Sequence, residues 1–554
     1  LIFHPGGLSC GSLKGNVFHD ANENCLPGAG EQGLQQWKIK ATGNGSTYFG
    51  VTDAEGDYDF PLLAGTYDVV VQPPASNLWQ TCPPAASATV AANGGATIDF
   101  GAQALVDCPW LEVNLGAAFL RRCFPSTYHL NYCNNGTVTA EDAYVQVTFD
   151  PFLEVISSTL PWSAVNGNVY TFPLGDLGVN ECGTFSVEVL VSCDAALGQA
   201  HCSTAEIFPQ ENCLPPDPLW DGGSLEVSAS CDGDSVRFEV QNIGDDMDAP
   251  VQYFIIVDDM VQISADDLQL VSSETKNFSF DANGSTWRIE VDQVANHPGA
   301  SQPSAFVEGC GVNGNGGFSL GFVNQFPLDD ANLNIDRDCQ PNIGAFDPND
   351  KRGYPNGYGV AHFIEPGTDV EYMIRFQNTG TDTAFNIVVA DTLSPFFDPA
   401  SVLPGVSSHS YQFELLGENI LRFTFKDILL PDSNVNEAGS HGFVKFRISQ
   451  RADVPIGTTI FGSAAIYFDF NEPVITNTTY HTVGEDYLMG QLLNLSGTVN
   501  TPFGAPAEGV KMSLSNFGET MTDPAGQFAF AGLTQGGDFT LSASKENHDP
   551  QRGV

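Results

Sequence analysis

Residues 369–391, DVEYMIRFQNTGTDTAFNIVVAD, decide the fold. Val370, Tyr372, Ile374 and Phe376 alternate with Glu371, Met373, Arg375 and Gln377. That period of two predicts a half-buried β-strand. A tight turn is expected at Gln377-Asn378-Thr379-Gly380, with the glycine supplying a positive φ. Ile387, Val388 and Val389 then return the chain as the second strand of a hairpin.

The same pattern occurs twice earlier, at 127–150 (TYHLNYCNNGTVTAEDAYVQVTFD) and 235–259 (SVRFEVQNIGDDMDAPVQYFIIVDD). Aligned on the turn, Asn134, Asn242 and Asn378 coincide, as do Gly136, Gly244 and Gly380. An Ala follows each turn (Ala143, Ala249, Ala384), and an Asp closes each returning strand. Three copies at domain-sized spacing predict three copies of one domain. A lone hairpin cannot bury its apolar face, so each copy is expected in its own β-sandwich.

A chain of 554 residues exceeds one core and suggests about four or five domains. Gly (57) and Pro (34) are spread along it, which suits many short strands and turns. The net charge is −47, from 20 Lys and Arg against 67 Asp and Glu. Such a surface repels nucleic acid and anionic membrane and attracts divalent cations or basic partners. No apolar run is long enough to span a membrane.

All thirteen Cys fall between Cys10 and Cys339. They form no CxxC pairs. The spacings Cys123–Cys133, Cys193–Cys202 and Cys231–Cys310 suit disulfides within domains, which imply an oxidising, extracytoplasmic compartment. The count is odd, so at least one thiol is expected to be free or to bond outside the chain. Residues 1–10 carry no signal-peptide pattern. The sequence is therefore expected to be a mature or trimmed form, and because KENHDPQRGV stops without a closing strand pattern the parent is expected to continue past Val554. Leu1, Ile2 and Phe3 fit a terminal strand, or one that docks on another chain.

Residues 11–104 form a first module. Asp20, Asn22, Asn24 and Glu31 occupy positions 1, 3, 5 and 12 of an EF-hand-like calcium loop, where alternate oxygens wrap a hard cation. Cys25 replaces the usual Gly at position 6, and no helices flank the loop. The alternative is an Asx-rich turn. Asp53 and Asp57 offer further oxygens. The stretches GNVFHDANEN (15–24), Gly33-Leu34 and Thr52-Asp53 through Gly56-Asp57-Tyr58 resemble the B-type repeats of serine-aspartate surface adhesins and, more broadly, prealbumin-like collagen-adhesin B domains. That resemblance implies structural calcium in the Asp/Asn loop. Some related B domains carry a Lys–Asn or Lys–Asp crosslink. Lys14 and Asp99 match that pattern poorly, and a solvated Lys14 is expected.

Residues 105–220 and 221–312 hold the first two copies of the repeat, with PPDP (215–218) as a stiff boundary and Cys231 and Cys310 bracketing the second. Residues 313–344 read as a solvated connector, although Asp329, Asp330, Asn332, Asn334, Asp336 and Asp338 alternate oxygens. Residues 345–485 hold the third copy. FDPNDK (346–351), SHGFVKFRI and YFDFNEPVITN resemble the conserved-repeat, immunoglobulin-like domains of large surface proteins of Bacteroidota, often exported by the type IX system. Residues 490–554 return to the first type: TDPAGQFAF echoes TDAEGDYDF without the Asp/Asn loop, and the piece resembles carboxypeptidase-regulatory-like domains.

No GxSxG, HExxH or Walker pattern is present, and no enzyme activity is expected. Trp37, Trp79, Trp110, Trp162, Trp220 and Trp287 are spread along the chain and read as core rather than as a sugar-binding platform. The resemblance to Bacteroidota proteins implies O-glycosylation candidates at Ser235, Thr383 and Thr392. The expectation is an all-β chain of tandem immunoglobulin-like and prealbumin-like β-sandwiches forming an elongated rod. It would act as an extracellular, cell-surface structural or adhesive protein stiffened by disulfides and calcium. Other copies of itself or other surface components would be its partners, with a homo-polymer joined through the N-terminal strand and the odd Cys. The alternative is the accessory stalk of a secreted hydrolase.

Overall fold

The computed structural model describes residues 10–554 except 76, 211–212, 315, 344–348, 486–487, 489–491, 502–503, 515–517, 535–539, 546–550 and 553–554. The expected N-terminal strand at 1–10 falls almost wholly outside the described residues, as does 346–348 of the FDPNDK motif. Apart from three short 3-10 turns, every regular element among the described residues is a β-strand. The chain is all-β and multidomain.

The opening stretch does form two strands, Val370–Gln377 and Ile387–Thr392, but they do not pair with each other. The first pairs with Asp350–Tyr354 and His441–Ile448. The second pairs with Ile420–Phe425 and Ala464–Phe468 in the facing sheet. The expected hairpin is an arch that carries the chain from one sheet of a sandwich to the other. The two earlier copies do the same. Pro125–Asn134 pairs with Leu111–Ala117 and Cys182–Val191, whereas Ala140–Thr148 pairs with Val169–Leu177 and Ala200–Phe208. Ser235–Asn242 and Val251–Val257 likewise lie in separate sheets. Two strands joined by a short linker and each apolar on one face can bury those faces against each other only from opposite sheets, about 10 Å apart. In the third sandwich the result is one core in which Tyr372, Ile374 and Phe376 meet Ile387, Val389, Phe423 and Phe446.

One buried Asn holds each arch. Asn378 Nδ2 donates to the carbonyls of Asp382 and Leu430, and its Oδ1 accepts from Gly380 N. Asn134 repeats this with Val138, Leu177 and Gly136, and Asn242 with Asp245, Leu270 and Gly244. The three glycines do not have left-handed φ, contrary to the expectation. Gly136 and Gly244 are needed for close approach instead: a Cβ there would lie 2.2 Å from the carbonyl oxygens of Cys108 and Gly222.

The first module packs the sheet built on Cys10–His19 against the sheet Ser46–Val51, Lys38–Gly43, Gly65–Gln72 and Ala86–Val90. Trp37, Tyr67 and Phe100 fill its core. The last module repeats its TD turn. Asp53 Oδ1 accepts from Glu55 N and Asp57 N, as Asp523 Oδ1 accepts from Ala525 N and Gln527 N. Thr52 and Thr522 each donate a side-chain hydroxyl to the carbonyl of an earlier loop, Leu34 and Ala507.

Residues 335–343, read as part of a solvated connector, form a strand that joins the first sandwich beside Ala200–Phe208. Its acidic residues Asp336 and Asp338 are buried. Sequence-distant modules also touch. Phe49 of the first module is buried in the core of the third sandwich, and Lys38 Nζ donates to Ala400 O at 2.5 Å. The modules are therefore braced sideways as well as joined end to end. Trp162 departs from the core reading: it is 39% exposed and stands edge-on to Tyr170.

Candidate functional site

Two places concentrate chemistry: the Asp/Asn loop, and the junction where the three sandwiches meet. In the loop, Asp20 is buried and accepts from Asn24 N at 3.0 Å, Cys25 N at 2.8 Å and Gln103 Nε2 at 2.7 Å. Burial alone would raise its pKa. The hydrogen bonds from Gln103 and from the backbone of Cys25, Asn24 and Glu23 outweigh it and hold the carboxyl below its ordinary value. Asn22 Nδ2 donates to Glu31 Oε1 at 2.7 Å, which brings loop positions 3 and 12 together. Gly28 N holds the other Glu31 oxygen at 2.7 Å.

Cys25 has φ 61°, the left-handed conformation for which such loops use Gly at position 6. Its side chain is committed to a disulfide with Cys82, which pins the loop to the strand Trp79–Cys82. The oxygen chemistry of the set suits a hard cation, but among the described residues no three His, Cys, Asp or Glu side chains gather as a metal cluster, and Asn24 Oδ1 is engaged by Leu26 N. Asp20, Asn22, Asn24 and Glu31 would hold it, and its charge would replace the N–H donors that now engage their oxygens. Asp53 and Asp57 stand apart from this set. Asp53 shapes the TD turn, and Asp57 Oδ1 accepts from Asn16 Nδ2 at 2.8 Å. The last module makes the same TD turn without an Asp/Asn loop, so the turn alone accounts for Asp53.

Six disulfides are present among the described residues. Cys123 pairs with Cys193 and Cys133 with Cys182, rather than Cys123 with Cys133. Cys202 pairs with Cys339, not with Cys193. Sequence proximity misled here because Cys123 and Cys133 mark opposite ends of the one strand Pro125–Asn134, and Cys193, just past Cys182–Val191, and Cys202 go with strands of different sheets, whereas partners face each other in register, as in Cys133 opposite Cys182 and Cys202 opposite Cys339. Cys231 is joined to Cys310, and Cys108 to Cys213. Cys10 is free and exposed.

At the junction, Lys445 of the third sandwich is buried and reaches Glu371 Oε1 at 2.6 Å, Asp338 Oδ1 at 3.5 Å and Leu115 O at 2.9 Å. Burial alone would lower the Lys445 pKa; Glu371, Asp336 and Asp338 outweigh it and hold the ammonium well above the usual lysine range. Arg447 reaches Asp330 and Asp336, and Arg375 Nη1 donates to Ala118 O at 3.0 Å. Asp336 and Asp338 also accept from the backbone N–H of Leu115 and Ala117. On the second sandwich, Glu308 Oε2 accepts from Ala200 N at 2.7 Å. The alternating acids at 330–338 thus hold protein cations. Only burial in a folded strand could distinguish that use from a solvated loop, and no sequence signal carried it.

A cleft of about 460 Å³ lies between the second and third sandwiches, lined by Phe254, Glu290, Phe326, Phe363 and Glu365 among others. Lys14 Nζ pairs with Asp59 at 2.8 Å on the surface, and Asp99 Oδ1 accepts from Asn16 N, so Lys14 and Asp99 have separate partners. Ser235 and Thr383 are partly exposed and Thr392 is exposed.

A family model described as a domain of unknown function (DUF7619) matches residues 347–482, within a few residues of the third-copy block. No curated protein matches. Among solved structures, the chain is similar to the major pilin SpaA of Corynebacterium diphtheriae at 11% identity, covering 55% of this chain and 86% of that one, with a TM-score of 0.19. It is similar to the collagen adhesin of Staphylococcus aureus at 7% identity, covering 67% and 91%, with a TM-score of 0.17. The collagen-binding subdomain of the Enterococcus faecalis surface protein ACE matches at 11% identity over 25% and 99%, with a TM-score of 0.18. Scores this low describe no shared arrangement of whole chains.

Proposed function

We propose that this chain is a non-catalytic, extracellular surface protein whose product is a rigid, braced scaffold for structure or adhesion. The observation that carries this reading is the strand Ile335–Ile343. It is bound by a disulfide to the first sandwich and by buried charges to the third. Such bracing has value where a protein must keep its shape outside the cell. Negative-stain imaging of the purified full chain tests it. A single, reproducible outline with the sandwiches side by side is expected, and a flexible string of separate beads would overturn the reading.

Three finer readings belong to the same proposal. The Asp/Asn loop takes structural calcium through Asp20, Asn22, Asn24 and Glu31, supported by their oxygen chemistry and by the backbone course at Cys25. The scaffold associates with further copies or other surface components, and exposed Cys10 and the residues before it are the proposed contact. A chain that stays monomeric in calcium, with and without reductant, would sink the polymer reading. The motifs within 346–477 support a surface protein of the Bacteroidota type, exported by the type IX system and O-glycosylated at Ser235, Thr383 or Thr392.

A further inference from the structure

The first two sandwiches are stapled by disulfides, whereas the third contains no Cys at all. Its interior instead holds one lysine against one aspartate. Lys351, on Asp350–Tyr354, and Asp391, on Ile387–Thr392, belong to opposite sheets and meet across the core. Both side chains are almost completely buried, at 2% and 1% exposure, and Nζ lies 2.5 Å from Asp391 Oδ2. The ammonium nitrogen sits 3.9 Å from the centre of the Tyr372 ring and 5.8 Å from that of Phe446. Gly462 leaves room for it, since a Cβ there would lie 2.9 Å from Nζ.

This pair is poorly supplied for a permanent ion pair. A buried salt bridge repays its desolvation only when the remaining protons and lone pairs are also hydrogen-bonded. Asp391 Oδ1 is buried without a hydrogen-bond partner among the described residues. Nζ has Asp391 as its one hydrogen-bond acceptor among the described residues and faces aromatic carbon otherwise. The junction lysine, Lys445, shows the contrast, with two carboxylates and a carbonyl around it.

We propose that Lys351 and Asp391 condense to an intramolecular amide, a covalent tie between the two sheets of the third sandwich. The balance closes without another reactant. The ammonium passes one proton to the carboxylate, giving amine and acid, the neutral forms that an apolar interior tolerates. The amine lone pair attacks Asp391 Cγ and forms the C–N bond. A second nitrogen proton passes to the departing hydroxyl, the C–O bond breaks, and water leaves. Contact geometry and exclusion of solvent make this an oriented, effectively unimolecular step. His481, adjoining the same Tyr372 ring, is kept neutral by burial, with its pKa lowered to about 4. Its Nδ1 has no hydrogen-bond partner among the described residues. The amide removes both buried charges and closes a loop between residues 40 apart.

Peptide mapping of the folded full chain by mass spectrometry, after reduction of its disulfides, tests the proposal. The expected product is a branched peptide joining Lys351 to Asp391, lighter by one water than its two parts. It should be absent from Lys351→Arg, which keeps a cation but not the amine. Recovery of two separate, unlinked peptides from the wild-type chain would overturn the proposal whether or not any variant folds. So would a water loss that maps elsewhere or persists in Lys351→Arg.

Discussion

Asn378 uses one buried amide to fasten two carbonyls and a turn N–H, and Asn134 and Asn242 do the same in the other sandwiches. Alanine would leave the buried Leu430 carbonyl with only the Ala384 N–H as donor and would strip Gly380 N of its acceptor. Asn378→Ala is therefore expected to destabilise the third sandwich by about 1–3 kcal/mol in urea unfolding. Asn378→Asp should be no better, because a carboxylate cannot donate to those carbonyls. Recovery of wild-type stability in the aspartate variant would refute the hydrogen-bond account. The loop residues make a second test. Asp20→Ala with Glu31→Ala should lower the melting temperature of the first module in calcium, and should cost much less in chelator. An equal loss in both conditions contradicts the calcium reading. The Asn-x-Gly signature was legible at this scale, but its meaning was not. Spacing shows that an Asn and a Gly recur; only the fold shows that the Asn side chain crosses between sheets and that Gly136 and Gly244 clear a neighbouring carbonyl.

At the scale of elements, alternation located Val370–Gln377 correctly, but it could not say which strand lies beside it. Period two is the same for a hairpin and for an arch, so pairing was lost where face and strand were legible. The strand Ile335–Ile343 was missed for a related reason. Alternating Asp and Asn read as solvated, because its cationic partners Lys445 and Arg447 lie over a hundred residues away. Lys445→Ala would leave Glu371 and Asp338 buried without their cation. Such losses cost about 3–5 kcal/mol, measurable as a lower urea midpoint for the junction. An unchanged midpoint would mean that the junction does not brace the chain. Acid groups around the second sandwich add a pH dependence. Burial pushes Glu308 up to about 7 from 4.5, against the hydrogen bonds of Ala200 and Gly321, and Glu290 also to about 7. A raised carboxyl pKa stabilises the fold fully below the unfolded value, and the contribution is lost as pH rises through the folded one. The melting temperature should thus fall between about pH 4.5 and pH 7 and level off above, and Glu308→Gln should flatten part of that fall. A rise over the same interval would contradict the assignment.

Across the whole molecule, five of the scarce cations are placed where modules meet or cores close, while others such as Lys14, Arg237 and Lys511 pair with acids on the surface. Lys38, Arg375, Lys445 and Arg447 lie at junctions and Lys351 inside a sandwich, while the surplus of acid covers the surface. Composition revealed the imbalance but not this partition, which depends on contacts far apart in sequence. The disulfides add covalent ties, and Cys202–Cys339 spans 137 residues to fix the junction strand. An extracellular, covalently braced scaffold is the central claim, and disulfide mapping on intact producing cells tests it most directly. After labelling with a membrane-impermeant amine reagent, the recovered chain should carry the label. It should also contain Cys202 bonded to Cys339 together with the other five pairs. A chain labelled only after lysis, with those cysteines recovered as free thiols, would contradict it.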